Sequence, residues 1–272
     1  MSRRLINHRP GRGAGLFWAA IPFLAVILLY LIFSALRLAA NPADKLLPAP
    51  ATIGAAIYRV ALTPDARTGQ IQLWVDSWAS LTRLLIGLGL ATLIGLVFGI
   101  ATGLIPYVRA ALSPFIAVLS MIPPMAVLPI LFITFGLDEL SKIVLIVIGI
   151  APFLIRDLAL KVEELPSELL IKAQTLGAST WQIVLRVVLP QILPKLIDAV
   201  RLSLGPAWLF LISAEAIAAE NGLGYRIFLV RRYLSMDVIL PYVAWITLLA
   251  FLMDLALKTA ARRWFPWREQ QP

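Results

Sequence analysis

Six long apolar runs, separated by shorter polar stretches, dominate the pattern of the chain. They cover approximately residues 16–36, 84–105, 112–135, 141–157, 197–219 and 238–258. Each run approaches the roughly 20 residues that a helix needs to cross a bilayer. A spanning segment must also satisfy its backbone polar groups internally. The pattern therefore predicts an all-α, polytopic membrane bundle of about six transmembrane helices.

The composition is that of a chain whose surroundings are lipid rather than water. Hydrophobic residues make up 60% of the 272 positions and charged residues only 14%, whereas a soluble domain is about half apolar and about a quarter charged. The net charge of +9 does not indicate nucleic-acid binding, because the basic residues flank the apolar runs. The chain has no cysteine, which excludes disulfide and thiol chemistry.

Basic residues are concentrated in three segments that the six runs place on one side of the membrane. These are the N-terminal tail 1–15, the stretch 156–196 and the C-terminal end from Lys258. Because Lys and Arg accumulate on the cytoplasmic side, both termini are predicted to be cytoplasmic. Five basic residues in the predicted outer loop 37–83, and Arg231–Arg232 in the last outer segment, oppose this orientation.

The predicted topology divides the chain into four parts. A basic cytoplasmic tail covers residues 1–15, the first transmembrane helix and an outer loop cover 16–83, the core covers 84–260, and a C-terminal cytoplasmic tail covers 261–272. We interpret the run 16–36 as a retained helix and not as a signal peptide, because no small-residue cleavage site follows it.

Small residues recur at every fourth position of the second run. They are Gly87, Ala91, Gly95, Gly99 and Gly103. Such a stripe lets another helix backbone approach closely. We expect it to pack against another helix of the same chain, with a seam between two copies as the alternative.

Prolines interrupt two of the runs. Pro123, Pro124 and Pro129 lie in the third run, and Gly205–Pro206 lie in the fifth. Because each proline removes a backbone donor and kinks or breaks a helix, and because broken helices are tolerated where they face protein or a water-filled path, these positions are candidates for a translocation path.

The segment 163–196 is too polar to span the membrane. Its pattern predicts a short helix that Gly177 stops and a second helix that Ser179 starts. Gln182 follows Ser179 at the spacing of a capping box. We expect the second helix to end near Pro190.

One face of the first short helix is apolar. Leu169, Ala173 and Leu176 share this face at helical spacing. A helix this short cannot bury the face within itself, so we expect the segment to insert into a partner protein.

The same segment resembles the cytoplasmic loop of the permease subunits of bacterial ABC importers. That family places Glu-Ala-Ala three residues before a glycine, and Ile-x-Leu-Pro nine residues after it. Here Ala173, Gly177, Leu189 and Pro190 match at this spacing, while Ile171–Lys172 replace Glu-Ala. The resemblance implies a coupling loop at 163–190 that docks on an ATPase subunit. The contact residues it implies are Leu169, Ala173, Leu176, Gly177, Ala178, Leu189 and Pro190.

Two further stretches resemble the nitrate, sulfonate and taurine branch of these permeases. They are "PPMAVLPILFITFGLDELSK" at 123–142 and "SAEAIAAENGLGYRI" at 213–227. Together the resemblances cover about residues 80–260. They imply a multi-pass location in the bacterial inner membrane.

Few charged residues lie within the apolar runs. Arg201 is one turn from Asp198, and Asp254 is one turn from Lys258, so we expect two structural ion pairs. Glu215 has no oppositely charged neighbour in sequence. Since a charge in a membrane segment is costly, Glu215 is predicted either to line the path or to bond to a broken helix.

No catalytic or metal-binding pattern is visible. The chain has one histidine, no cysteine and no phosphate-binding GxxxxGK[ST] motif. We therefore expect that it is not an enzyme and binds no cofactor, and that ATP and Mg²⁺ are bound by a separate subunit.

The resulting hypothesis is an importer permease for a small oxyanion or organosulfonate. Its expected partners are an ATP-binding subunit, a periplasmic or lipid-anchored substrate-binding protein, membrane lipid and a second permease, most simply a second copy. The candidate path residues are Pro123, Pro124, Gly205, Pro206 and Glu215.

Three alternatives stay open. An importer of a small nitrogenous solute such as urea or guanidinium would suit an acidic Glu215 on the path. An ion-coupled secondary transporter or channel would need repeated halves or a relay of ionisable residues. A structural membrane anchor would leave the 163–190 segment without a role.

Overall fold

The computed structural model of the chain describes residues 11–267, apart from positions 43 and 67. These residues form helices and no strand. The helices are α1 (Arg12–Ala40), α2 (Pro50–Leu62), α3 (Gln72–Leu104), α4 (Pro106–Leu119), α5 (Pro124–Phe135), α6 (Glu139–Glu163), α7 (Ser167–Thr175), α8 (Thr180–Ile183), α9 (Leu189–Ile217), α10 (Leu223–Arg231) and α11 (Met236–Trp264). Most of the predicted N-terminal tail, and residues 268–272 of the C-terminal one, lie outside the described residues.

The all-α membrane fold is confirmed, with four or five candidate spans among the described residues where about six were predicted. Within the described residues, four helices are long and apolar enough to cross a membrane, namely α1, α3, α6 and α11. The pair α4 and α5, bent by 92° at the break between them, makes five if it counts as one span. The run 197–219 lies on α9, which has 29 residues but falls outside this count and carries Asp198, Arg201 and Glu215.

Helix α3 begins well before the predicted start at residue 84. Its first turns carry Asp76, Ser77, Ser80 and Arg83, and all four side chains are buried. Polar residues at the end of a membrane helix resemble a loop when only hydropathy is considered. Helices α2 and α10, which lie in segments predicted as outer loops, were missed because they have only 13 and 9 residues, too few to cross a membrane.

The glycine stripe of α3 packs against α6 of the same chain, as predicted. A Cβ atom added at Gly87 would lie 2.8 Å from Ile146, one at Gly95 2.6 Å from Leu154, and one at Gly99 2.7 Å from the side chain of Leu158. The two helices run parallel, because the contact positions rise together along both. Lipid is as apolar as leucine, so close van der Waals packing holds this pair together, not exclusion from water.

Helix α6 occupies the centre of the bundle. It contacts α3, α5 and α9, and Leu145, Ile146, Leu154 and Leu158 on it are fully buried. Because α3 and α6 are parallel, α4 and α5 return the chain from the end of α3 to the start of α6. The bundle has two ends: the loop end adjoins residues 163–190, and the network end contains the first turns of α3 and α6.

The predicted proline effects are half confirmed. Pro123 precedes α5 and Pro124 is its first residue, so the third run is broken where predicted. Gly205–Pro206 do not interrupt the fifth run, because α9 is continuous from Leu189 to Ile217. A single proline removes one hydrogen bond of the ladder, and the bonds on either side keep the membrane helix intact.

Helix α1 stands apart from the bundle. Its most apolar window has no buried residue, and hydrogen bonds to the following segment tether it. Tyr30 donates to the Pro48 carbonyl at 2.6 Å and Ser34 to the Leu47 carbonyl at 3.0 Å. The Leu46 amide and the Arg37 guanidinium, in that order, hold the pKa of the Asp44 carboxyl below its ordinary value.

Replacing Gly95 with leucine should separate α3 from α6. The added side chain would meet Leu154 along a packed seam, and overpacking of this kind costs about 1–3 kcal/mol. We expect a lower midpoint of thermal unfolding for detergent-purified Gly95→Leu, measured by fluorescence-detected size exclusion after heating. Gly89→Leu is the matched control, since nothing lies within 4 Å of a Cβ at Gly89. Equal losses in both variants would contradict the packing interpretation.

Candidate functional site

The turn between α7 and α8 is closed by a pair of backbone hydrogen bonds. The Ala178 amide donates to the Ala173 carbonyl at 3.0 Å, and the Gly177 amide donates to the Gln174 carbonyl at 2.9 Å. This is the Schellman arrangement, which needs a left-handed residue after the helix. Gly177 supplies it with φ +78°. The predicted glycine stop is confirmed.

Helix α8 starts with the predicted capping box. The Gln182 amide donates to Ser179 Oγ at 3.3 Å, and the Ser179 amide donates to Gln182 Oε1 at 2.8 Å. The box fixes the direction in which the chain leaves the turn at Gly177.

The prediction that the second helix ends near Pro190 is wrong. A π-helical turn, Val184–Val188, follows α8 and leads directly into α9. The Leu189 amide donates to the carbonyl of Val184, five residues back. Pro190 then lies in the first turn of α9, where the hydrogen bond that proline cannot donate is least costly. The short helices and α9 therefore form one continuous backbone path.

The apolar residues of this segment face two ways. Ala173 and Ala178 are partly buried and pack against the core, as do Leu170 and Leu189. Leu176 is 86% exposed and Trp181 is 68% exposed, and Leu169 is exposed as well. The predicted single face of Leu169, Ala173 and Leu176 is therefore divided, because Ala173 belongs to the closed turn. We call the exposed set of Leu169, Ile171, Leu176 and Trp181 the apolar knob.

Trp181 was missed as a site residue. Its position after the cap at Ser179 predicts a helix but does not show which way the side chain points. The sequence did offer one signal for an exposed site residue, a tryptophan in a polar segment that has no core of its own.

The network end holds a buried set of charges whose partners lie far apart in sequence. Arg83 is 3% exposed and donates to three other parts of the chain. Its guanidinium binds Glu139 on α6, Glu215 Oε1 on α9 at 2.7 Å, and the Asn221 carbonyl oxygen before α10 at 2.9 Å. One arginine thereby joins four elements.

Asp76 forms the second half of this network. Its carboxylate accepts from Arg226 Nε at 2.8 Å, from the Tyr242 hydroxyl at 3.1 Å and from the Gly222 amide at 3.0 Å. These bonds join α3 to α10 and α11. The buried charges of Asp76, Arg83 and Glu215 each have a hydrogen-bonded counter-charge, which is the condition for tolerating them in a membrane protein.

The start of α10 is capped from two neighbouring helices. The Leu223 amide donates to Ser80 Oγ at 2.8 Å, and the Gly224 amide donates to Glu215 Oε2 at 2.9 Å. A carboxylate at a helix N-terminus satisfies free amides and interacts favourably with the helix dipole. Gly222 has φ +125°, and a Cβ there would lie 2.6 Å from the Glu215 carboxyl, so this position requires glycine.

The partners of Glu215 on α3 lie far from it in sequence. Its oppositely charged partner Arg83 is distant in sequence, and Ser80 also donates to it at 2.8 Å. Asp76, Ser80 and Arg83 follow the i, i+4, i+7 spacing of one helix face, which was the available sequence signal. Glu215 bonds to the first turn of α10, which is not one of the broken helices that the prediction had in view.

The other candidate path residues lie at the start of α5 and on α9. Pro123 is exposed at the break between α4 and α5, Pro124 is partly buried, and Gly205 and Pro206 lie on the exposed side of α9. Glu215, by contrast, has no exposed surface. Whether these residues line a path stays a prediction.

One of the two predicted ion pairs has a different partner. Arg201 binds Asp198 at 3.3 Å as expected, but Asp254 binds Arg201 at 2.8 Å rather than pairing chiefly with Lys258. The Arg201 guanidinium thus joins α9 to α11. No group of three metal-ligating side chains occurs within the described part of the chain.

Fold and site together define a class: an all-α membrane protein with a rigid polar network at one end and a preformed helical loop at the other. Residues 91–266 match the model of the binding-protein-dependent transport system inner membrane component family. The chain belongs to this family.

Three relatives are permeases of importers. The taurine transport system permease TauC of Escherichia coli K12 is 42% identical over 196 residues, which is 72% of this chain and 71% of TauC. The putative aliphatic sulfonates permease SsuC of Bacillus subtilis is 30% identical over 223 residues, 82% of this chain and 78% of SsuC. The nitrate import permease NrtB of Synechocystis is 29% identical over 184 residues, 66% of each chain.

Solved structures share the fold. Two inward-facing structures of the methionine ABC transporter MetNI each align with a TM-score of 0.62, covering 70% of this chain, at 24% and 22% identity. The alignments include 95% and 96% of the two MetNI chains.

Replacing Arg83 with glutamine should destabilise the protein strongly. It would leave Glu215 buried without a counter-charge, a loss of about 3–5 kcal/mol. We expect the double variant Arg83→Gln/Glu215→Gln to recover part of the loss, measured as the thermal midpoint of the purified protein. Arg232→Gln is the control, since Arg232 is exposed. A double variant less stable than Arg83→Gln would contradict the assigned ion pair.

Proposed function

We propose that the chain is the transmembrane subunit of an ATP-driven importer, and that its apolar knob docks on a separate ATPase subunit. One observation carries the proposal: Leu176 and Trp181 are exposed on a short segment whose other face is anchored to the core. Exposed apolar residues on an anchored turn are suited to filling a cleft in a partner. This chain supplies movement and no chemistry, and ATP with Mg²⁺ binds to the partner.

The backbone gives a direct route for movement into the membrane. Helix α8, the π-helical turn and α9 are continuous, and α9 packs against α6, α10 and α11. A displacement of the knob would move the loop end of α9 as a lever. The network end of α9 is tied through Glu215 to Ser80 and Arg83, so movement would be largest at the loop end.

The proposed assembly has two permease subunits, two ATPase subunits and one substrate-binding protein. The loop end is cytoplasmic, together with both termini. The network end is periplasmic, where the binding protein delivers substrate. Two copies of this chain are the simplest pair, and the exposed side of α9 around Gly205–Pro206 is available for the second copy.

The proposed substrates are small oxyanions, with organosulfonates first. The names of the three relatives specify taurine, aliphatic sulfonates and nitrate, which are small molecules bearing an oxyanion or an oxyanion group. The argument for a cationic substrate relied on a free Glu215. That argument loses its support because Arg83 neutralises Glu215 at 2.7 Å.

Reconstitution tests the proposed function. The chain would be placed in proteoliposomes with its genetically neighbouring ATPase and binding protein. We expect ATP-dependent uptake of radiolabelled taurine or nitrate, and substrate-stimulated ATP hydrolysis. Uptake of guanidinium in place of both anions would overturn the substrate class, and uptake independent of ATP would overturn the importer assignment.

Replacing Gly177 with valine should uncouple the two subunits. A β-branched residue resists the positive φ of this turn, so the knob would be displaced while the membrane helices stay folded. We expect little ATPase to co-purify with Gly177→Val and transport to be lost. Gly177→Asn is the matched control, because asparagine tolerates the left-handed conformation. Normal ATPase recovery and normal stimulated hydrolysis with Gly177→Val would refute this role for the turn.

The orientation has its own test. The structure places Trp74, near the start of α3, and Asp138, before α6, at the network end. We expect reporter fusions after both positions to show a periplasmic location, and a fusion after Thr175 to show a cytoplasmic one. A cytoplasmic signal after Trp74 or Asp138 would require the opposite orientation.

A further inference from the structure

The first turn of α4 lies where the loop ends of α3 and α6 meet. Arg109, in that turn, donates to the Thr102 carbonyl at 3.2 Å and to the Gly103 carbonyl. Both carbonyls belong to the last turn of α3, which lacks helical partners and carries the negative end of the helix dipole. Arg109 Nε also lies 3.1 Å from a carboxylate oxygen of Glu163, the last residue of α6. One guanidinium on α4 therefore holds the ends of two other helices.

The ends of α3 and α6 are in direct contact at this point. A Cβ atom added at Gly103 would lie 2.5 Å from the Cβ atom of Val162. Because α3 and α6 are parallel, their negative dipole ends lie side by side, and a positive charge next to both is favourable. The two helix ends thus keep Arg109 in place, although its side chain is 41% exposed.

Helix α4 is otherwise loosely packed against α6. Within α4, whose 14 residues are all described, Ile116 alone is buried, and a groove of 240 Å³ lined by both helices remains between them. A second polar contact lies at the other end of α4, where Arg156 on α6 donates to Ser120 Oγ at 2.8 Å. Polar side chains at its two ends, more than apolar packing, therefore attach α4 to α6.

The segment that carries the apolar knob is attached on two sides where it leaves α6. Glu163 ends α6, and Glu164 follows it directly. Glu163 pairs with Arg109 on α4, whereas Glu164 lies 3.7 Å from Lys195 in the second turn of α9. A displacement of the knob therefore has a route to α4 as well as to α9.

We infer that Arg109 is a positioning residue for coupling, because through Glu163 it makes α4 follow the displacement of the apolar knob. Helix α4 leads into the break before α5, so movement enters the bent pair α4–α5 at its loop end, alongside the lever of α9. The inference rests on the proposed function, from which it takes the ATPase that displaces the knob. A half-exposed ion pair contributes little to stability, so a variant without it should stay folded and lose coupling.

The experiment measures substrate uptake per ATP hydrolysed in proteoliposomes that contain the full chain, its ATPase and its binding protein. Arg109→Gln and Glu163→Gln should each lower this ratio about threefold to fivefold, the factor that a half-exposed ion pair supplies. The double variant should lose no more than the larger single loss, because both changes remove the same contact. Arg109→Lys keeps the charge and should recover most of the ratio. Glu163→Gln should keep the parent's thermal midpoint and the parent's amount of co-purified ATPase.

Lys161→Gln is the matched control. Lys161 pairs with Asp157 on the same helix, so its loss removes an ion pair near the end of α6 without releasing α4, and the ratio should stay at the parent's value. Three outcomes would overturn the inference: an unchanged ratio in Glu163→Gln, an equal fall in Lys161→Gln, or loss of the ATPase from Glu163→Gln, which would place Glu163 in the docking surface. The proposed function fails separately, if the parent protein retains no ATPase or takes up substrate without ATP.

Discussion

The burial of Glu215 is the constraint on which the rest of the bundle depends. A carboxylate with no exposed surface must be neutralised and hydrogen-bonded, or the helix that carries it leaves the bundle. Arg83 supplies the charge, and Ser80 and the Gly224 amide supply further donors. Because these groups lie on α3, α9 and α10, satisfying one carboxylate fixes three helices relative to one another.

The same arginine aligns the glycine stripe. Arg83 reaches Glu139 at the start of α6, and this contact sets the register of α3 against α6. With that register, Gly87, Gly95 and Gly99 lie opposite bulky side chains of α6. The charges therefore give the helix pair its alignment, while the glycines give it its closeness. Weak packing forces suffice in lipid because directional bonds have already selected the geometry.

Sequence patterns predicted the features that depend on near neighbours. The turn at Gly177 and the capping box of Ser179 with Gln182 are formed by hydrogen bonds within a few residues, so the local sequence is sufficient to predict both. The membrane class follows from the apolar runs in the same way. The network could not be predicted with its partners, because Arg83 and Glu215 are brought together only by the fold. The start of α3 was predicted too late because its first turns are polar. Asp76 is typical of a loop in sequence, and only the fold shows that Arg226 lies beside it.

At Pro190 a strong local signal gave a wrong prediction. Proline at the end of an apolar run predicts a stop, yet here it follows a π-helical turn and begins α9. The hydrogen bond it cannot make is one that the first turn of a helix lacks anyway.

The π-helical turn Val184–Val188 contains one residue more than an α-helical turn would use over the same path. In an α-helix each residue rotates the chain by about 100°. The extra residue therefore sets the rotational orientation of the apolar knob about the axis of α9. Loss of a single residue here would leave both helices intact and turn Leu176 and Trp181 about a quarter of a circle away from any partner shaped to receive them.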